Sequence, residues 1–140
     1  MLESTASGDP FHLSRFEIAQ ASVIEAVRAE LRAGRKVGHW MWFVFPQMRG
    51  LGHSEMATYY GIASQEEAEA YILHPVLGPR LRECTRLVNG IENRSIDEIF
   101  GSPDNLKFHS CMRLFAAAAT DNAEFTQALR KYFSADNSLH

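Results

Sequence analysis

The chain has 140 residues, 46% of them hydrophobic and 22% charged, with a formal net charge of −3. That length matches one domain with a real core, needing neither disulfide nor metal to hold it. The balance of charge gives no global attraction to nucleic acid or to an anionic membrane, and the longest apolar run, Trp40 to Pro46, falls far short of the ~20 residues that span a bilayer.

The N-terminal stretch Met1–Pro10 is polar and acidic, without the basic and apolar regions of a secretory leader, so a cytoplasmic location is expected. Residues 1–12 and 134–140 read as mobile ends of a single domain covering 1–140. Ser14-Arg15-Phe16-Glu17 has the form of a capping box, in which the hydroxyl and the carboxylate each take a free backbone N–H. Behind it Phe16, Ala19, Val23, Val27 and Leu31 recur at helical spacing, predicting one helix that Gly34 ends in a left-handed turn.

His39 to Phe45 is short and aromatic. It could be a strand, which Pro46 would end or edge, but with no partner strand in sight it reads as a short buried helix. Ser54 is placed to cap the next helix. Ser64-Gln65-Glu66-Glu67 opens a helix that stops before His74-Pro75, and Pro75 suits the first turn of a further helix, where its missing N–H costs nothing. Leu77, Leu81, Cys84 and Val88 form one stripe, ended by Asn89-Gly90. Ser95-Ile96-Asp97-Glu98 is another capping box. Ser102-Pro103-Asp104 starts a long helix through the alanines at 116–119, and Asp121-Asn122-Ala123-Glu124 caps the last one. The prediction is an all-α, compact, single-domain orthogonal bundle of about six to eight helices without significant sheet.

Cys84 and Cys111 form no CxxC pair and lie in apolar stripes, which predicts free thiols. The six histidines form no HxxxH, HExxH or Cys/His set, so no metal is implied. There is no GxxxxGK[ST], GxGxxG or GxSxG, so no cofactor or nucleophile elbow is implied either. Arg32, Arg35 and Lys36 cluster at a helix end, where cations are favoured in any case.

One segment stands out. From Gly34 to Ser54 the chain carries both tryptophans, with Lys36, His39 and Gln47 around them and Gly50-Leu51-Gly52 following. Packing accounts for the aromatic residues but not for the polar ones, because an unpartnered buried polar group costs about 1–3 kcal/mol. Two later helix starts are followed by cations, Arg80 and Lys107, and helix N-termini favour anions. Lys36, His39, Trp40, Gln47, Arg80 and Lys107 are therefore the candidate ligand-binding set. They suggest a pocket for a phosphorylated or nucleotide-like small molecule, in an enzyme such as an N-glycosidase-like hydrolase, with Asp104 or Glu55 as the water-activating carboxylate. The alternative is a non-catalytic interaction module that uses 39–47 as a groove.

The blocks Gly34-Arg35-Lys36, His39-Trp40-Met41-Trp42-Phe43, Phe45-Pro46-Gln47, Gly50-Leu51-Gly52-His53-Ser54 and His74-Pro75-Val76-Leu77-Gly78-Pro79-Arg80-Leu81 resemble a bacterial family of unknown function. Its members often carry the label "calpastatin". Arg15-Phe16 with Ala19-Gln20, and Phe100-Gly101-Ser102-Pro103-Asp104 with Leu106-Lys107, extend the resemblance over most of the chain. It implies a mainly helical fold and no established activity. A calpain inhibitor of that kind would read as a disordered repeat, unlike this chain. One departure is Ser110-Cys111-Met112-Arg113, where the family has Ser-Ser-Met-Thr, which argues against Cys111 as an essential nucleophile.

Overall fold

A computed structural model describes residues 8–134. The expectation of mobile ends at 1–12 and 134–140 falls largely outside them. Among the described residues there are nine helices: α1 (Ser14–Ala21), α2 (Ile24–Ala33), α3 (Met41–Val44), α4 (Glu55–Tyr59), α5 (Gln65–Leu73), α6 (Leu77–Asn89), α7 (Ile96–Phe100), α8 (Asp104–Ala118) and α9 (Ala123–Phe133). No strand occurs among these residues. The one β-type feature is an isolated bridge between Met48 and Ile62.

The extra helix comes from a break at Ser22–Val23, which divides the first predicted helix in two. The apolar period runs through the break, so nothing in the hydrophobic pattern marks it. Ser14 is also not the cap. It is the first helical residue, and Asp9 does the work instead, its two carboxylate oxygens accepting from Leu13 N at 2.6 Å and Ser14 N at 3.0 Å. Gly34 does end α2 in the left-handed region, at φ 82°. Its N–H bonds Leu31 O while Arg35 N bonds Glu30 O, the paired pattern that satisfies the last carbonyls of a helix.

The later signals fare better. The Ser54, Ser64 and Ser95 side chains each accept from a backbone N–H three residues on. Ser95 with Glu98 completes a reciprocal box. At the α5–α6 junction the cap is His74. Its Nδ1 accepts from Val76 N and Leu77 N at 3.0 and 3.1 Å, so regular helix begins at Leu77 rather than at Pro75. Before α9, Asn122 makes no side-chain cap; it reaches back to donate to Ala116 O at the end of α8.

α8 is the central element. Phe108, Cys111, Met112 and Phe115 are fully buried on it, and it packs against α3, α5, α7 and α9. The small residues of its last turn let neighbours come close. α6 contributes the predicted Leu77, Leu81, Cys84 and Val88 stripe, packed on α2, α5 and α9. Cys84 and Cys111 are free and buried. Burial pushes the Cys84 thiol up to about 12 and the Cys111 thiol well above its ordinary value, which leaves both inert as nucleophiles. Among the described residues no helix is long and apolar enough to cross a membrane.

Candidate functional site

The aromatic segment folds as one helical turn, α3, with Trp40 at its start and Trp42 inside it. Residues two apart on a helix point roughly 200° from each other, and the two indoles have opposite fates. Trp40 is buried, packs on Phe45, and donates from Nε1 to Glu30 Oε1 at 2.9 Å. Trp42 is half-buried and forms the wall of a surface cleft of about 530 Å³. Gln47, the loop residues Gly52, His53 and Ser54, and Lys107 and Ser110 of α8 also line this cleft.

Lys107 and Lys36 share a partner. Asp104 Oδ2 lies 2.8 Å from Lys36 Nζ, and Oδ1 lies 3.2 Å from Lys107 Nζ. Each ammonium also stands over one indole. Lys36 Nζ is 5.2 Å from the Trp40 ring centre and Lys107 Nζ is 5.0 Å from that of Trp42, within the range of an attractive cation–π contact. The result is a continuous chain, Trp40–Lys36–Asp104–Lys107–Trp42, running from the core to the cleft.

Lys36, His39, Trp40 and Gln47, expected to converge on one concavity together with Arg80 or Lys107, do not all do so. Gln47 and Lys107 line the cleft. Lys36 connects to it only through Asp104, its own side chain being buried and its ammonium also donating to Gly38 O. Trp40 faces the core, because its indole N–H needs the Glu30 carboxylate there. His39 is exposed and lines no part of the cleft. Arg80 lies elsewhere: its Nη1 reaches Gln20 Oε1 at 3.3 Å, and Gln20 in turn donates to Phe43 O and Tyr71 Oη. Arg80 lines no part of the cleft. The residue that sequence reasoning passed over is Trp42, although it stood in the same motif; the direction of the α3 turn and the Glu30 carboxylate on Trp40 distinguish the two.

Glu30 fixes the inner end of the chain. Its carboxylate accepts from Val37 N at 2.7 Å, Gly38 N at 3.0 Å and the Trp40 indole. Burial pushes its pKa up, but the hydrogen bonds from Gly38, Val37 and Trp40, with the nearby Lys36 charge, outweigh this and hold it below the ordinary value. A carboxyl depressed in the folded state stabilises above its unfolded pKa and loses that contribution as pH falls through the folded value. Glu30→Gln is therefore expected to cost about 1–2 kcal/mol at neutral pH, with the gap to wild type narrowing at pH ~3. Urea unfolding at both pH values checks it, and an equal gap at both would reject the carboxylate's role.

Residues 10–139 match the family described as "Protein of unknown function (DUF1810)". The crystal structure of the conserved hypothetical protein Rv1873 from Mycobacterium tuberculosis is similar to this chain at 61% identity. The match covers 90% of each chain with a TM-score of 0.89. No curated protein matches the chain.

Proposed function

The chain belongs to the DUF1810 family of proteins of unknown function, and we propose that its cleft between α8 and the Gly50–Ser54 loop binds a small molecule joining a flat aromatic group to an anion, as a nucleotide does. The observation that carries this reading is the half-buried Trp42 indole with the Lys107 ammonium 5.0 Å from its ring centre on the wall of the cleft. The ammonium stands over the indole face, so a flat group stacks there as Lys107 turns to pair with its anion. Gln47 adds an amide able to donate and accept at once, and the volume lies in the range of small-ligand sites.

Hydrolysis needs a carboxylate free to activate water. Asp104 is engaged by two lysines, and Glu55 is exposed on α4 and does not line the cleft. An N-glycosidase-like activity therefore stands behind simple binding. A specific observation favours the interaction-module reading as the second choice: Leu51 and Leu106, 60% and 61% exposed, line the same cleft, and apolar side chains so placed suit a peptide. The buried free thiols suit a reducing compartment such as the cytoplasm.

The test is calorimetric titration and thermal shift with adenosine 5′-monophosphate, ribose 5-phosphate and inorganic phosphate. The nucleotide is expected to bind best. Trp42→Ala should abolish binding, Lys107→Ala should weaken it by about tenfold or more, the worth of a charged hydrogen bond, and His39→Ala should leave it unchanged. If none of the three compounds raises the melting midpoint, or if Trp42→Ala binds as wild type, the small-molecule reading falls and the peptide groove leads.

A further inference from the structure

A second concavity, of about 470 Å³, lies where the C-terminal ends of α2 and α6 meet the loop before α7. It shares no lining residue with the Trp42 cleft. We propose that it is a second anion site, taking the phosphate or diphosphate group of a small molecule on Arg32, Arg86 and Arg94.

Local charge favours an anion here. In a chain of net charge −3, three guanidinium groups surround this space with one carboxylate, Glu92, and that one is 3.6 Å from Lys131 Nζ. Helix ends account for part of this. Arg32 and Arg86 lie in the last turns of α2 and α6, where the helix dipole favours a cation and disfavours an anion, so a ligand here is held by the guanidinium groups against the helix ends. Arg94 lies on the loop and has no such reason to be there.

Each arginine is also held so that its guanidinium remains available. Arg94 is seated on Gly34: a Cβ at that position would come within 3.1 Å of Arg94 Nε. The glycine that turns the chain out of α2 therefore also makes room for this guanidinium. Among the described residues Arg32 and Arg94 form no ion pair. Arg86 does, with its Nη1 2.7 Å from Glu124 Oε2, but the other Glu124 oxygen is held by Arg82 at 2.8 Å. Arg86 can turn to a ligand and leave Glu124 paired. Guanidinium forks match phosphate oxygens two at a time, and the space is of small-ligand size.

The probe is inorganic diphosphate, titrated calorimetrically into the whole protein at about 0.15 M salt, where diffuse attraction is largely screened. Saturable binding is expected, and it should persist in Lys107→Ala. Arg32→Gln and Arg94→Gln should each weaken it about tenfold or more. Arg35→Gln removes the same charge from the same end of α2 but outside the concavity, and should change affinity by no more than about twofold. All three positions are exposed, so the variants should fold, and circular dichroism melts would verify this. Absence of saturable heat overturns the proposal. So does an Arg35→Gln loss equal to the other two, which would show general electrostatics rather than a site.

Discussion

Replacing Arg15 by Met is expected to remove about 3–5 kcal/mol of stability, the usual cost of stranding one member of a buried ion pair. Arg15 lies on α1 with a side chain 4% exposed, and all five of its N–H groups have acceptors. Nε donates to Tyr59 O, Nη1 to Phe11 O and His12 O, and Nη2 to Gly61 O and to Glu67 Oε2 at 2.8 Å. One guanidinium thus joins the segment before α1 to the end of α4 and the start of α5. Without it, Glu67 keeps a buried charge held only by the Ala63 N–H, and four carbonyls lose a hydrogen bond, of which His12 O keeps one from the Arg15 backbone N–H. Domains of this kind have only about 5–15 kcal/mol in total, so the variant should unfold at far lower urea. The double variant Arg15→Met with Glu67→Leu should recover much of the loss, since it removes the stranded charge. A single variant within 1 kcal/mol of wild type would show that the pair contributes nothing.

Gly78→Ala should reverse the normal sign of a helix substitution. Alanine in place of a helical glycine ordinarily stabilises by up to about 1 kcal/mol. Gly78, however, is in the first turn of α6, pressed on the last turn of α5. A methyl there would lie 2.2 Å from Ile72 O and 3.0 Å from its carbonyl carbon. These are backbone atoms, fixed by α5, and cannot turn aside as a side chain can. The substitution must push two helices apart, at an expected cost of about 1–3 kcal/mol. Gly90→Ala serves as the control. Its nearest neighbour, Arg86 O, is 3.5 Å from the new methyl, so its melting midpoint should stay near wild type. A Gly78→Ala protein that melts above wild type would mean that α5 and α6 are not in this contact.

Helix starts held by a serine were legible because their chemistry is local: the hydroxyl and the N–H it accepts from are three residues apart. Ser14 looked the same but was displaced by Asp9, a carboxylate whose two oxygens reach two donors where a hydroxyl reaches one. The Ser22–Val23 break left no trace because no glycine or proline marks it. The site was legible as a segment and not as a set of directions. Trp40 and Trp42 are equivalent in composition, and what divides them is Glu30, ten residues earlier, whose carboxylate receives one indole N–H. Arg80 and Lys107 stood as alternatives, and only Lys107 lines the cleft; the choice follows from how α6 and α8 pack, a relation between distant parts of the chain that no motif carries.

Asp104 between its two lysines has a consequence for exchange of partners. Lys36 is the more enclosed of the two, 8% exposed against 19% for Lys107, and its backbone N–H is tied to Ile99 O. If Lys107 leaves Asp104 for an incoming anion, the carboxylate is not stranded, because Lys36 remains on its other oxygen. Leaving a partly buried charge alone is the expensive part of breaking an ion pair, and here it does not arise. The surface lysine is thus a replaceable member of a three-charge unit, and its release toward the cleft exchanges one salt bridge for another.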